Sequence, residues 1–263
     1  MKKHSLHMYD IYETFYKWAE NSLAFAQYCT EVYGTDFTQD GYSDLDEINA
    51  LIKKASICTG RAVLDIGCGD GGMCEYIHRQ TGAAVYGFDY SETAISRAQR
   101  RGIGSFEVGL IGKKEYPPAS FDAALSVDTV YFAKDCKELL RQMYSCLKPG
   151  GVVVIMYSAF RRFEDHISSD DTKLAIAFRR AGYVYEATDY TDNFYRLMTR
   201  KHKIAKRMEA EFLREGLDTL HAGLLTDSID PATSFSEFVQ NHARYMYVMN
   251  KNTENSCGEN SEV

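Results

Sequence analysis

An apolar strand that runs into three closely spaced glycines and then into a helix constrains this chain more than any other feature. Residues 63–72 read Val-Leu-Asp-Ile-Gly-Cys-Gly-Asp-Gly-Gly. Val63, Leu64 and Ile66 supply the strand, Gly67, Gly69 and Gly71 the bend, and Met73 to His78 a helix-like stretch. Glycine lacks a Cβ, so the backbone can turn sharply and lie bare against a ligand. The start of the following helix adds unpaired N–H groups and a positive dipole end. The combination predicts a cradle for a nucleotide-type cofactor.

The same βα rhythm continues downstream. Strands fit at about 62–67, 84–89, 104–109, 121–127 and 151–158, and helices at about 71–81, 91–101, 134–147 and 170–181. Such alternation predicts a parallel sheet covered on both faces. Tyr183 to Tyr190 and His242 to Met249 read as a sixth and a seventh strand, and Pro149-Gly150-Gly151 as a stop and turn before the fifth. The expected architecture is α/β: a Rossmann-like, doubly wound, seven-stranded sheet with N-terminal helices and a helical cap inserted between strands 6 and 7. One domain over 1–263 is expected, with a helical lid (1–55), a cofactor-binding core (56–190), the cap (191–240), the last strand (241–251) and a disordered polar tail (252–263). Ligands of such sheets bind outside the carboxyl ends of the strands. That edge gathers Asp65 to Gly71, Asp89, and Ser126, Val127 and Asp128.

Which cofactor the cradle takes is decided by acids. Gly67, Gly69 and Gly72 also satisfy the G-x-G-x-x-G dinucleotide fingerprint. A dinucleotide places its pyrophosphate on the helix N-terminus. Asp70 occupies that spot and would repel phosphate, and Asp65 adds a second negative charge nearby. A cofactor with a sulfonium and an ammonium group suits such a field, and S-adenosylmethionine (SAM) carries both. The second strand, Ala84 to Phe88, ends at Asp89, an acid placed to accept hydrogen bonds from ribose hydroxyls. Tyr90 beside it offers a face for adenine. Ser91 and Glu92 open the next helix as N-cap and first-turn acid.

Val63–Gly72, Val85–Ser91, Phe121–Phe132 and Leu147–Tyr157 together make the chain resemble the class I SAM-dependent methyltransferases, over roughly residues 45–190. Within them it looks most like small-molecule enzymes that act on sarcosine, dimethylglycine or phosphoethanolamine. The resemblance implies a cofactor loop over Asp65, Gly67, Cys68, Gly69 and Gly71, and a ribose acid at Asp89. Many relatives carry an acid after the third strand that meets the adenine amino group. Here Leu110 stands in its place, so adenine would rest on Leu110, Ile111 and backbone contacts. The resemblance also puts Asp128 and Tyr131 beside the transferred methyl and the acceptor, with Asp128 binding an ammonium or hydroxyl, or capping the next turn instead. It favours Tyr16 among the tyrosines, because the N-terminal helix of similar enzymes closes over the cofactor. Asp-x-x-Tyr at 128–131 lacks the prolines of the Asp-Pro-Pro-Tyr found in nucleobase amino methyltransferases.

Composition narrows the partners. A net charge of -7 with no long basic block outside one helix argues against nucleic acid. Seven cysteines without C-x-x-C or zinc spacing read as free thiols of a reducing cytoplasm, with no metal site. Cys68 reads as a small residue that fits its loop. The charged N-terminus is not followed by the apolar core of a signal peptide, and no run is long enough to span a membrane. Oligomeric state stays open. Residues 8–33 read as one aromatic helix, with Tyr9, Tyr12 and Tyr16 on one face, and Asp44 to Lys54 as a second helix. Tyr157, Tyr190 and Tyr195 are further candidates for an aromatic pocket, and His166 and His221 the thin choice of bases. Arg196 to Arg207 holds six basic residues and no acid. It reads either as a solvated face, with Leu197, Ile204, Ala205, Met208 and Phe212 toward the core, or as a source of one or two cations for an anionic substrate.

Methyl transfer from SAM needs alignment and exclusion of water rather than a triad or a metal. The expected activity is transfer of a methyl group to a nitrogen or oxygen of a small metabolite, releasing S-adenosylhomocysteine. The alternatives are carbon methylation of a lipid or isoprenoid-like acceptor, and a SAM-binding protein without turnover. An NAD(P)-dependent oxidoreductase is disfavoured by Asp70.

Overall fold

The computed structural model describes residues 3–252, with side chains from residue 11 onward. Tyr9 as a pocket residue and the tail beyond Asn252 lie outside the described residues. Seven strands form one sheet: β1 (Ala62–Ile66), β2 (Ala84–Asp89), β3 (Gly104–Val108), β4 (Phe121–Val127), β5 (Leu147–Phe160), β6 (Glu186–Asp189) and β7 (His242–Asn250), in the order β3-β2-β1-β4-β5-β7-β6. β1 to β5 pair in parallel, and β7 is antiparallel to both β5 and β6. The parallel expectation therefore holds for the first five strands, and the sheet as a whole is mixed.

Alternate residues of the central strands go to opposite faces. Leu64, Ile66, Ala124, Val153 and Ile155 enter one buried cluster. Val63, Ala123, Leu125, Val152 and Val154 enter another. A strand buried on both faces reads as a continuous apolar run, as these do. The Pro149-Gly150-Gly151 turn does not precede β5 but is absorbed into it. Phe121 pairs with Leu147 and Ala123 with Val152, so the intervening residues bulge, with Gly150 at φ +76°.

The helices are α1 (Lys3–Ala19), α2 (Leu23–Tyr33), α3 (Leu45–Lys54), α4 (Gly72–Thr81), α5 (Glu92–Arg100), α6 (Cys136–Cys146), α7 (Lys173–Ala181), α8 (Thr191–Arg207), α9 (Glu209–Arg214), α10 (Asp218–Thr226) and α11 (Phe235–Phe238). The single aromatic helix expected over 8–33 is two. Ser22 takes an extended backbone conformation and caps α2 by accepting from Phe25 N. Its hydroxyl donates to Glu215 Oε2 at 2.5 Å, which fixes the break. The last four helices fill the connection between β6 and β7. Leu197, Ile204, Ala205, Met208 and Phe212 pack there against Phe15, Tyr16, Phe25 and Tyr28. The core-facing half of the basic stretch is thus as expected. Among the described residues no helix is long and apolar enough to cross a membrane.

Candidate active site

A cavity opens at the carboxyl edge of β1, β2 and β4, enclosed from above by α1 and by residues 37–43. Its floor is the glycine bend. Gly67 N and Cys68 N both donate to Phe88 O, at 2.9 and 3.0 Å, which ties the bend to the end of β2. Gly69 N donates to Asp89 Oδ2 at 3.1 Å, and Ser91 N to Asp89 Oδ1 at 3.0 Å. Each carboxylate oxygen keeps lone-pair capacity for a further donor from the cavity. Burial pushes Asp89 above the usual carboxylate range, opposed by those backbone donors. Gly69 lies at φ +56°, and a Cβ there would stand 2.5 Å from the Tyr16 hydroxyl. Tyr16 therefore rests directly on bare backbone.

Asp65, Gly67, Cys68, Gly69, Asp89, Tyr90, Ile111, Val127, Asp128 and Tyr16 all line this cavity. Burial pushes the Asp65 carboxyl up to about 7, and its Oδ2 accepts from the Cys74 thiol at 3.4 Å. Burial also raises the Cys68 thiol well above its ordinary value, as suits a packing residue rather than a nucleophile. Four of the sequence candidates stand outside the lining. Gly71 forms the N-cap of α4 at φ +79°. Leu110 is 37% exposed, while its neighbours Gly109 and Ile111 face the cavity. Ser126 is buried and shares a 2.8 Å hydrogen bond with Thr129, whose hydroxyl donates to Ile66 O at 2.6 Å. It supports Thr129, which lines the cavity and which no motif marked. The Tyr131 hydroxyl accepts from Ser158 N at 2.6 Å and donates to Asp128 Oδ1 at 3.4 Å, so it braces Asp128 from behind.

Asp70 behaves differently from the sequence argument. It lies against the floor, but its carboxylate is 1% exposed and meets both Arg97 and Arg101, at 3.1 and 3.0 Å. Its Oδ1 accepts from Gly72 N. Two guanidiniums offset its charge, so the acids left to disfavour a diphosphate are Asp65 and Asp89, both raised by burial. A local motif carries no sign of cations that arrive from α5 and the residue after it.

The far half of the cavity is held by buried ions. Asp128 adopts φ +56°, a left-handed conformation uncommon for a residue with a Cβ. Arg244 of β7 donates to its Oδ1 at 2.7 Å and its Oδ2 at 3.1 Å, and also reaches Glu47 of α3 at 2.9 Å. Tyr42 N and the Ser43 hydroxyl complete Asp128 Oδ2, at 3.1 and 3.4 Å. Asp128 thus lines the cavity with its charge already paired, and it pins the end of the 37–43 loop. Thr38 in that loop has φ +52°. Asp40 Oδ1 accepts from Lys201 of α8 at 3.3 Å, and Lys201 also reaches Asp227 at 3.1 Å. Arg244 and Lys201 were not foreseen. Their signal was a charge at an apolar position: Arg244 within Ala-Arg-Tyr-Met-Tyr-Val-Met, and Lys201 on the stripe of Leu197, Met198, Ile204 and Ala205.

The remaining walls are Tyr12, Phe15, Phe37 and Phe132, with the Tyr12 and Phe132 rings edge to face at 5.8 Å. Tyr157, Tyr190 and Tyr195 are not part of them; Tyr195 donates to Thr233 O and Tyr157 to Glu164. Neither candidate base reaches the cavity. His166 is exposed on the loop after β5, and His221 is buried with Nε2 2.9 Å from Ala205 O.

The sequence family described as Methyltransferase domain matches residues 64–155. Phosphoethanolamine N-methyltransferase 3 of Arabidopsis thaliana is 31% identical over 205 residues, covering 70% of this chain and 41% of that protein. The chain therefore spans about two fifths of the length of that plant relative. Phosphoethanolamine N-methyltransferase of Plasmodium falciparum is 25% identical over 203 residues, covering 70% of this chain and 76% of its own. Among solved structures, phosphoethanolamine N-methyltransferase 2 of Haemonchus contortus, in complex with phosphomonomethylethanolamine and S-adenosylhomocysteine, aligns with a TM-score of 0.69 at 21% identity. It covers 86% of this chain and 57% of that one. The architecture is the Rossmann-like fold these proteins share.

Proposed function

We propose, from the premise that this chain belongs to the class I SAM-dependent methyltransferases, that it transfers a methyl group from SAM to a nitrogen of a small metabolite and releases S-adenosylhomocysteine. The observation that carries this reading is the joint between Gly69 and Asp89. One backbone N–H of the bend is tied to the carboxylate at the β2 tip, which fixes a bare main-chain floor beside an acid that can accept two hydroxyls.

The residues fit the cofactor. Asp89 would hold the ribose, with Tyr90, Gly109 and Ile111 as the slot for the adenine, while Asp65 offers a carboxylate to the ammonium end. When bound, the cofactor supplies an electrophilic methyl on a positively charged sulfur. The chain itself supplies alignment and dryness, and orientation of that kind contributes ~7–11 kcal/mol in good cases. Tyr12, Phe15, Tyr16 and Phe132 exclude water. Asp128 acts as a positioning residue, because Arg244 and the 42–43 backbone already occupy its oxygens. Tyr131 supports Asp128 in that role. The six described free cysteines, Cys29, Cys58, Cys68, Cys74, Cys136 and Cys146, suit a reducing compartment, and we place the protein in the cytoplasm.

Calorimetry with SAM, S-adenosylhomocysteine and NAD tests the reading. Both sulfur compounds should bind and NAD should not; NAD binding without them overturns it. Asp89→Ala should weaken SAM binding on the order of 10–100-fold, as for loss of hydrogen bonds to a charged group, with an unchanged circular dichroism spectrum. Methyl-labelled SAM incubated with cell extract then identifies the acceptor by mass.

A further inference from the structure

We propose that the acceptor is a small cationic amine without a phosphate group, and that Asp40 holds its ammonium, with Lys201 as the positioning residue behind it. This rests on the methyltransferase reading above and adds the substrate class.

The charges around the cavity do not cancel evenly. Among the described residues, its lining includes Asp40, Asp65, Asp70, Asp89 and Asp128 and no lysine or arginine. Arg97 and Arg101 neutralise Asp70, and both Asp128 oxygens are taken up by Arg244, which is shared with Glu47, and by Tyr42 N and the Ser43 hydroxyl. Asp65 and Asp89 stand on the cofactor floor. Asp40 is left on the acceptor side, and its Oδ2 makes no hydrogen bond among the described residues, whereas Oδ1 accepts from Lys201.

Lys201 does not balance Asp40 alone. Its side chain is 0% exposed and is shared between Asp40 at 3.3 Å and Asp227 at 3.1 Å. Its ammonium lies 5.1 Å from the centre of the Tyr42 ring, whose hydroxyl donates to Asp227 at 2.8 Å. One cation between two carboxylates leaves one of them without a full partner at the wall of an open cavity. Burial raises Asp40 above the usual carboxylate range, so it takes up either a proton or an arriving cation. An uncompensated charge in a partly desolvated place is costly until a counter-charge arrives. Lys201 meanwhile holds Asp40 Oδ1 at 3.3 Å, and Asp40 lines the cavity.

The rest of the wall suits the same guest. Tyr12, Phe15, Tyr16 and Phe132 present aromatic rings, and such rings attract cations. A phosphate dianion would meet the opposite of what it needs. It would lie among carboxylates, and Lys201 and Arg244 are fully buried behind the acids they serve. The phosphoethanolamine named for the relatives is therefore the wrong guest for this cavity, while its amine end is the right one.

The full chain, saturated with S-adenosylhomocysteine, is titrated by calorimetry with ethanolamine, N-methylethanolamine, putrescine and tyramine, and with phosphoethanolamine. At least one phosphate-free amine should bind, and phosphoethanolamine should bind about tenfold or more weakly than ethanolamine. Asp40→Asn, which keeps the shape, should weaken the amine about tenfold or more, as for a lost charged hydrogen bond, and leave S-adenosylhomocysteine affinity within about twofold. Lys201→Met should lose amine affinity in the same way and Lys201→Arg should restore it. Tighter binding of phosphoethanolamine, no binding by any phosphate-free amine, or an unchanged amine affinity in Asp40→Asn overturns the proposal and leaves the methyltransferase reading standing. Failure of S-adenosylhomocysteine itself to bind overturns that reading instead.

Discussion

The two halves of the cleft are built by different means. The floor under the proposed cofactor runs from Asp65 to Asp89 and is held by short backbone hydrogen bonds between neighbouring strand ends. The acceptor side is held by ions from distant parts of the chain: Asp128 to Arg244, Glu47 to Arg244, and Asp40 to Lys201. A floor made of backbone tolerates many side chains but needs bare glycine. A wall made of buried ions tolerates few, because each charge loses its partner when one is removed.

The ion-held wall should break hardest. Arg244→Met leaves Glu47 and Asp128 buried without their cation, and we expect a loss of about 3–5 kcal/mol in urea unfolding. A loss under 1 kcal/mol would mean that Asp128 and the 42–43 loop stay in place by packing alone. Next comes the backbone-held floor. Gly69→Ala forces a Cβ against the Tyr16 hydroxyl at φ +56°, and left-handed backbone alone costs roughly 1–2 kcal/mol for such a residue. Combining it with Tyr16→Phe should recover the steric part, so the double mutant should lose less than the sum of the singles, with a coupling of about 0.5–3 kcal/mol. Strict additivity in thermal unfolding would show that α1 does not press on the bend.

The last test concerns Asp65 and is read against pH. Its carboxyl keeps its proton to about 7 in the fold, whereas an unfolded chain gives it up near pH ~4. The folded state then binds more protons than the unfolded one across that window, so this group's contribution falls as pH rises from ~4 to ~7 and is level above. Asp65→Asn has no proton to lose. Its melting temperature should gain on that of the unaltered chain as pH rises through that window and keep the gain above it. A gap that does not change with pH would show that Asp65 titrates normally.

What the sequence revealed follows the same division. The glycine bend, Asp89, and the βα alternation were legible because each is encoded within a few residues by periodicity and by glycine. So was the N-cap Ser91, whose hydroxyl accepts from Ala94 N. The antiparallel insertion of β7 was not, because an apolar run of that length has no direction written in it. Neither was the wall of the acceptor side. The loop 37–43 has no period, and its conformation is set by partners on α8, β7 and the turn after β4. The misreading of Asp70 has the same origin: its charge was plain in the sequence, and its two arginines, folded in from another βα unit, were not.

The way α1 is fastened bears on how fast the proposed methyl-transfer cycle would turn. The Glu13 carboxylate accepts from the hydroxyls of Ser91 and Thr93 at the start of α5, and Tyr16 covers the bend below it. These hydrogen bonds, and the packing of Phe15, Tyr16 and Ala19 against α2 and α8 to α10, rather than the sheet's interior, close the cavity on that side. On the proposed methyl-transfer reading, release of a spent nucleoside would require that helix to open at the Ser22 break, and such a fastening would govern departure of product rather than bond making.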